Sequence, residues 1–241
     1  MMISAIIITK NTEKNIERAV NSVRFCDEVM VIKNDTIDDF ARERNKAMDK
    51  AKGEWVLFID ADEVVSEELK NQILKRAIVL SDNERIQDGK EKKGAYYIKR
   101  RDFFWGKELQ WGEVRKIRQI GLIRLMRKDS GKWVGKVHEE FRPSGDVGRL
   151  EGFIDHYPHP TIKEFLLDIN IYSTIRAREL RELGDVGGIW EIIFYPLGKF
   201  LLTYFIKFGF LDGPAGFAYA FFMSFHSFLV RAKLYQYTKI D

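Results

Sequence analysis

Short apolar runs alternate with amphipathic stretches along the first eighty residues. The runs at 4–9, 26–32 and 55–59 are rich in β-branched or aromatic residues, and they predict buried strands. Apolar residues recur at helical spacing within 13–23 and 40–51, and Ser66 with two following glutamates predicts the start of a third helix. This alternation predicts an α/β fold in which right-handed crossovers build a Rossmann-like, mostly parallel sheet flanked by helices.

Strands and a long helix are also predicted beyond residue 80. Alternating or short apolar segments at 94–101, 121–127 and 133–140 predict three more strands, and Thr161 is the predicted N-cap of a helix that reaches about Leu183. We therefore expect an α/β domain over residues 1–160, with halves of about 1–80 and 81–160. A helical, aromatic-rich appendage is expected over residues 161–241.

The C-terminal region is apolar, with few charges. Residues 189–211 are interrupted by Glu191, Pro196, Lys199 and Lys207, and residues 213–230 carry no charge. Because a spanning helix needs about 20 apolar residues, these segments lie at the lower margin. Their small and polar residues favour helices that lie in the membrane interface. A hydrophobic dimer interface and a true membrane span are the alternatives.

Three carboxylates, Asp60, Asp62 and Glu63, follow the strand at 55–59. Ligands of open α/β sheets bind beyond the carboxyl ends of the strands. In an extended chain Asp60 and Asp62 would share one face, where they would repel each other unless a cation lay nearby. Mg²⁺ or Mn²⁺ suits such oxygen ligands, and Mg²⁺ usually takes one or two carboxylates plus substrate phosphates. The pattern predicts a metal bound to a diphosphate; a solvated acidic turn is the alternative.

Composition and charge narrow the class of partner. The chain has 241 residues, 45% hydrophobic and 32% charged, which is typical of a globular protein. Residues 84–149 hold 18 Lys/Arg against 10 Asp/Glu, so anionic partners such as phosphates or a membrane surface are expected. No nucleic-acid recognition motif accompanies this charge, and no nucleic acid is expected as a partner. A single cysteine, Cys26, and no recognisable signal peptide predict a cytoplasmic location.

Several motifs resemble those of the family 2 glycosyltransferases, which have a GT-A fold. Residues 4–11 resemble the opening strand and Thr-x-Asn turn of the family, residues 41–47 its Ala-Arg-x-x-Arg-Asn helix, and residues 58–63 its Asp-x-Asp motif. The sequences Ile-Arg-Leu at 123–125, Val-His-Glu at 137–139 and Gly-Phe-Leu-Asp-Gly at 209–213 are similar to the branch of lipopolysaccharide-core β-1,4-glucosyltransferase-like enzymes.

This resemblance implies an inverting transfer of a sugar from a nucleotide diphosphate sugar, expected to be UDP-linked, to a glycolipid or saccharide acceptor. The implied process is the biosynthesis of cell-envelope polysaccharide or lipopolysaccharide. The protein would lie on the inner face of the cell membrane through its C-terminal helices, and a homo-oligomer is compatible with this arrangement.

The resemblance also implies roles for individual residues. Asp62, with Asp60, would hold Mg²⁺ or Mn²⁺, which stabilises charge on the leaving diphosphate. Glu139, or else Glu140, would be the base that takes the acceptor proton. The implied donor-binding residues are Thr9, Asn11, Asp35, Arg44, Asn45, Asp60, Arg124 and His138.

One departure from the family pattern opens alternatives. About twenty expected residues, including an Asp-x-x-Ser-x-Asp turn, are missing after Ile32, so that residues 34–38 are either a degraded turn or a later segment. A catalytically impaired, membrane-bound scaffold is therefore one alternative. A haloacid dehalogenase-type phosphatase with Asp60 as nucleophile is another, although its motif normally lies on the first strand and is followed by an acidic pair. His156 and His159 have a metal-like spacing but are predicted to lie in a loop.

Overall fold

The computed structural model describes residues 2–9, 16–33, 39–82, 93–135 and 139–240. The chain divides into two compact units. The first comprises Met1–Arg101 and Ile117–His156, and the second comprises Asp102–Lys116 and Tyr157–Asp241. In chain order the strands and α-helices are β1 (Ile3–Thr9), α1 (Ile16–Ser22), β2 (Glu28–Lys33), α2 (Phe40–Lys50), β3 (Trp55–Asp60), β4 (Glu63–Val65), α3 (Glu67–Asp82), β5 (Ala95–Phe104), β6 (Lys107–Leu109), α4 (Arg115–Ile120), β7 (Leu122–Arg127), β8 (Gly131–Val134), β9 (Glu140–Pro143), β10 (Val147–His156), α5 (Ile162–Glu182), α6 (Ile189–Leu201) and α7 (Gly213–Ile240).

The first unit begins with the parallel strands that the sequence predicts. β1 pairs in parallel with both β2 and β3, and Ile8 lies opposite Asp60. All of β1 is buried, as is β3 up to Asp60, which explains their continuous apolar sequence. Alternate residues of β3 pack on opposite faces of the sheet, so that Leu57 joins one core cluster and Phe58 the other. The strand–helix alternation therefore places Asp60 at the edge of the sheet where the parallel strands end.

The remaining strands make the sheet a mixed one. Its order is β2-β1-β3-β7-β5-β10-β4, and β7 runs antiparallel to both β3 and β5. Antiparallel neighbours need no helical crossover, and α4, the helix before β7, is only six residues long. The α/β fold with flanking helices and an aromatic-rich C-terminal helical region is confirmed, and β1, β2 and β3 form a parallel part of the sheet.

The segment at 133–140 was predicted as one strand, and this prediction is wrong. β8 and β9 instead form a separate antiparallel ribbon in which Val134 faces Glu140. β8 ends at Val134, and Gly135 follows it with a φ of 96°, which is accessible to glycine at little cost. Strand β10 was missed altogether. Gly148 and Gly152 interrupt its apolar alternation, which removes the pattern that would predict it.

The second unit is built around α5, α6 and α7. Thr161 caps α5 as predicted, since its side chain accepts a hydrogen bond from the Glu164 amide. A π-helical turn, Leu202–Ile206, and a 3₁₀ helix, Gly209–Asp212, connect α6 to α7. The buried Asp212 carboxylate accepts hydrogen bonds from the main-chain amides of Gln110 and Trp111. Within the described chain one helical segment, Ile189–Ile206, is long and apolar enough to cross a membrane, and only 6% of it is buried.

Candidate active site

Two arginines hold the Asp60 carboxylate at the end of β3. Arg44 of α2 donates from Nη2 to Oδ1 at 2.7 Å, and Arg124 of β7 donates from Nη2 to Oδ2 at 2.7 Å. Burial alone would raise the pKa of Asp60, but the charges and hydrogen bonds of Arg124 and Arg44 lower this pKa well below its usual range. Asp60 is therefore a fixed anion whose oxygens each accept from a guanidinium.

Glu63 forms the floor of the same network, a role that the sequence did not reveal. Its side chain is fully buried, and its Oε1 accepts from Arg124 at 2.9 Å and from Arg100 at 3.4 Å. The main-chain amide of Asp60 donates to the other oxygen of Glu63 at 3.0 Å. The pKa of Arg124 is raised: burial opposes the charged form, but the charges of Asp60 and Glu63 outweigh it. Arg124 thus ties two carboxylates together.

Asp62 has a different environment from Asp60. The extended chain ends at Asp60 and turns, so the predicted sharing of one face by the two carboxylates gives way to separate partners. Asp62 Oδ2 lies 3.2 Å from Nε2 of His156, at the end of β10, and its side chain is 38% exposed. Burial raises the pKa of Asp62 and nearby Asp60 adds to this, but His156 and, less strongly, Arg100 lower it on balance. Asp62 is the more accessible aspartate of the motif.

Glu139 also contacts the arginine network. Its Oε1 accepts from Arg44 Nε at 2.9 Å, while Oε2 has no hydrogen-bond partner among the described residues. Arg44 stacks over the rings of Phe58 and Trp133, and its buried Nη1 has no partner within the described part of the chain. Glu140 is exposed at the start of β9. The two candidate bases are therefore distinct: one faces the arginine cluster and the other faces solvent.

Asn45 clamps the β8 strand to helix α2. Its Nδ2 donates to the Trp133 carbonyl at 2.9 Å, and its Oδ1 accepts from the Trp133 amide at 2.9 Å. Thr9 is buried at the end of β1. The other predicted donor-binding residues, Asn11, Asp35 and His138, lie outside the described residues. Helix α2 thus supplies Arg44 to the carboxylates and Asn45 to the ribbon.

Comparison with known proteins gives a consistent assignment. Residues 24–83 match the model of glycosyl transferase family 2. The chain is 27% identical to LpsC of Rhizobium meliloti, a lipopolysaccharide core biosynthesis glycosyltransferase, over 97% of this chain and 92% of LpsC. It is 28% identical to an uncharacterised glycosyltransferase of Rickettsia typhi, over 96% of this chain and 86% of that protein. The chain therefore resembles the glycosyltransferases of family 2.

The alignments with these two glycosyltransferases also bear on length. They extend over 261 and 264 positions, more than the 241 residues of this chain, so the relatives contain residues without a counterpart here. This agrees with a shortened sequence. Among solved structures, S. aureus TarS in complex with UDP-GlcNAc is 15% identical with a TM-score of 0.44, covering 97% of this chain and 83% of that one.

A divalent cation at this edge of the sheet would need oxygen or nitrogen ligands from the protein. The described residues contain no group of three or more His, Cys, Asp or Glu side chains arranged to hold a metal ion. Asp62 and His156 provide one carboxylate and one imidazole nitrogen, 3.2 Å apart. Mg²⁺ commonly binds proteins through one or two carboxylates and completes its shell with phosphates and water. The pair fits a cation that binds together with a diphosphate, whereas the Asp60 oxygens are engaged by arginines.

Proposed function

We propose that this protein is an inverting glycosyltransferase that moves a sugar from a UDP-linked donor to a glycolipid or saccharide acceptor in the biosynthesis of lipopolysaccharide or a related envelope polysaccharide. The observation that carries the proposal is the meeting of Asp60 and Glu139 with Arg44 and Arg124 at the carboxyl edge of β3, next to Asp62 and its partner His156. The match of residues 24–83 to glycosyl transferase family 2 and the similarity to LpsC support the reaction class and the process.

In the proposed reaction the acceptor hydroxyl oxygen attacks the anomeric carbon from the face opposite the diphosphate. The new glycosidic C–O bond forms as the bond to the diphosphate oxygen breaks, and that oxygen keeps the electron pair. Glu139 takes the hydroxyl proton through Oε2, the oxygen that Arg44 does not engage. Because Arg44 holds Oε1, the carboxylate has a fixed direction, as a general base requires.

The arginines have a supporting role in this proposal. Arg44 and Arg124 fix Asp60 so that it can accept a hydrogen bond from a ribose or sugar hydroxyl on its remaining lone pairs. The buried Nη1 of Arg44, which has no partner among the described residues, would donate to an oxygen of the bound sugar nucleotide. Asp62 and His156 would hold Mg²⁺ or Mn²⁺, whose positive charge would stabilise the leaving diphosphate.

The proposal is tested by measuring the turnover of a panel of UDP-, GDP- and CMP-sugars, with and without Mn²⁺. The unmodified protein is compared with the Asp62→Asn variant. Asp49, an exposed carboxylate on α2, provides the matched control Asp49→Asn. The proposal expects metal-dependent turnover of a UDP-sugar that Asp62→Asn abolishes and Asp49→Asn preserves. No turnover or binding of any donor by the folded protein would instead favour the impaired scaffold. Phosphate-ester hydrolysis that requires Asp60 would favour the phosphatase.

We further propose that the transfer chemistry belongs to residues 1–160 and that residues 161–241 dock on the cytoplasmic face of the cell membrane. The charges that interrupt α6 are paired within the second unit: Glu191 lies 3.3 Å from Arg231, and Lys199 lies 2.9 Å from Glu113. The other face is apolar, and about half of the surface of each of its side chains is exposed: Ile193, Phe194, Leu197, Leu201 and Phe205. Such an amphipathic helix suits the membrane interface.

Cosedimentation with phospholipid vesicles tests the docking proposal. Ile193→Glu with Phe205→Glu is expected to abolish vesicle binding, because two charges would enter the apolar layer. Ile120→Glu, at a 40% exposed apolar residue of the first unit, is the control and should leave binding unchanged. Vesicle binding that is unaffected by the α6 charges would contradict the proposal. A stable dimer that the same charges dissociate, with no vesicle binding, would favour the dimer interface.

A further inference from the structure

A basic cavity lies near the opposite end of the strands from Asp60. It has a volume of about 250 Å³, and it is lined by Gln72, Lys75, Arg76, Lys93, Tyr96 and Arg149. Met126 of β7 pairs with Ala95 and also with Val56, so the start of β5 lies level with the start of β3. Asp60 is at the end of β3. The cavity is therefore separate from the candidate active site.

The floor of this basic cavity is a buried tyrosine. Tyr96 is 3% exposed, and its ring centroid lies 5.7 Å from that of Trp55 in the core. Arg76 Nε donates to the Tyr96 hydroxyl at 2.8 Å, which fixes the direction of the guanidinium. A Cβ atom on Gly148 would overlap the Tyr96 ring, so glycine is needed for β10 to begin this close. The fold therefore fixes the positions of the Tyr96 ring and of the Arg76 guanidinium.

The described charged side chains that line the basic cavity are all cationic. Lys75, Arg76, Lys93 and Arg149 form no ion pair with any described residue, and no described carboxylate lines the cavity. Residues 83–92 contain three acidic and three basic residues and leave the net charge unchanged. Cations brought together repel one another, and an anion between them removes that cost. This cluster includes part of the lysine and arginine excess of residues 84–149.

We propose that the basic cavity binds a phosphate group, either free or as a small phosphate ester, or as the headgroup of an anionic lipid. Arginine and lysine side chains are suited to phosphate oxygens, and Arg76 is already oriented. The volume fits a phosphate with a small attached group, since sites for larger ligands span roughly 300–1,000 Å³. This site is independent of the proposed sugar transfer.

Titration of the ¹⁵N-labelled protein with inorganic phosphate, at constant ionic strength and without divalent cations, tests the site. The reporters are the amide resonances of Lys93, Tyr96 and Leu150, which line the cavity. Lys75→Glu with Arg149→Glu reverses two exposed charges of the cavity. Lys132→Glu with Arg142→Glu is the matched control, because these exposed residues face each other across the β8–β9 ribbon. The cavity variant is expected to raise the Kd for phosphate by at least about tenfold, and the control is expected to leave it unchanged.

Vesicles with and without phosphatidylglycerol distinguish the two sources of phosphate. If the source is a headgroup, the cavity variant loses the preference for phosphatidylglycerol vesicles. If the source is free phosphate, vesicle binding is equal in both variants and only the titration responds. The proposal is overturned if phosphate leaves the three reporter amides unshifted in the unmodified protein and the vesicle preference is equal in both variants. An equal response of both variants in the titration and with vesicles overturns it as well.

Discussion

His156 Nε2 lies 3.2 Å from Asp62 Oδ2, which joins the end of β10 to the turn after β3. The two residues are far apart in sequence, and the sheet order brings them to one edge. Asp62 therefore has an imidazole as its partner, while Asp60 has two guanidinium groups. In the proposed site the two carboxylates therefore have different roles. Asp62 would face a cation, whereas Asp60 is held in place by the arginines.

Replacing His156 by alanine is expected to raise the Mn²⁺ concentration needed for half-maximal donor turnover by about tenfold or more, because a partner of the metal-binding carboxylate is lost. The measurement is donor hydrolysis against Mn²⁺ concentration. His159→Ala is the control, since His159 stacks on Phe165 and contacts Asp168 within the second unit. An equal change in both variants would exclude a specific role for His156.

Asp60→Asn is expected to lower the free energy of unfolding by about 2–3 kcal/mol, because Arg44 and Arg124 keep their buried charges and lose a counter-ion. The loss should fall short of that for a fully enclosed pair, since the Asp60 side chain is 31% exposed. Urea unfolding gives the value. Asp129→Asn, which breaks the exposed pair with Arg127, should cost under about 1 kcal/mol. Similar losses in the two variants would contradict the account of Asp60.

The Asn45→Ala variant shows whether Asn45 has a structural role or contacts the donor. Two hydrogen bonds to the Trp133 main chain are lost, so the free energy of unfolding should fall by about 1–3 kcal/mol. Because β8 leads to the segment that bears Glu139, we expect kcat to fall with little change in the donor KM. A raised donor KM with unchanged stability would show that Asn45 contacts the donor instead.

The stabilisation that the Glu113 carboxylate provides is expected to depend on pH. Burial raises the pKa of Glu113, but the hydrogen bond and charge of Lys199, with contributions from Lys207 and Thr203, lower it on balance. Because the folded pKa is below the unfolded one, the stabilisation is complete above the unfolded value of about 4.3 and is lost as the pH falls through the folded value. Glu113→Gln should therefore cost about 1 kcal/mol at neutral pH and less near pH 3. Urea unfolding at both pH values checks this, and a cost that grows on acidification would contradict it.

The sequence was most informative where local pattern and burial agree. The apolar run before Asp60 predicted β3, and Thr161 predicted the start of α5, because a continuous buried strand and an N-cap are both encoded locally. The pattern failed at the β8–β9 ribbon and at β10. Gly135 follows β8 with a positive φ, and glycines break the alternation of β10.

Only part of the candidate site could be predicted from the sequence, because the contacts between its residues depend on the tertiary structure. Motifs named Asp60, Asp62, Arg44 and Arg124 as site residues, yet they did not reveal that the arginines bind Asp60 rather than standing free for phosphate. His156 and Glu63 were missed as site residues. Their roles depend on the order of β10, β4 and β7 in the sheet, which no local pattern specifies.

The most direct test of the proposed function is single-turnover sugar transfer with the UDP-sugar that the panel identifies, comparing Glu139→Gln with Glu140→Gln. Glutamine keeps the hydrogen bond that Arg44 donates but cannot take a proton at neutral pH. We predict that Glu139→Gln lowers the transfer rate by about 10²–10⁴-fold with donor binding retained, and that Glu140→Gln changes it little. Transfer by Glu139→Gln at the unmodified rate would contradict the assignment of Glu139 as the base.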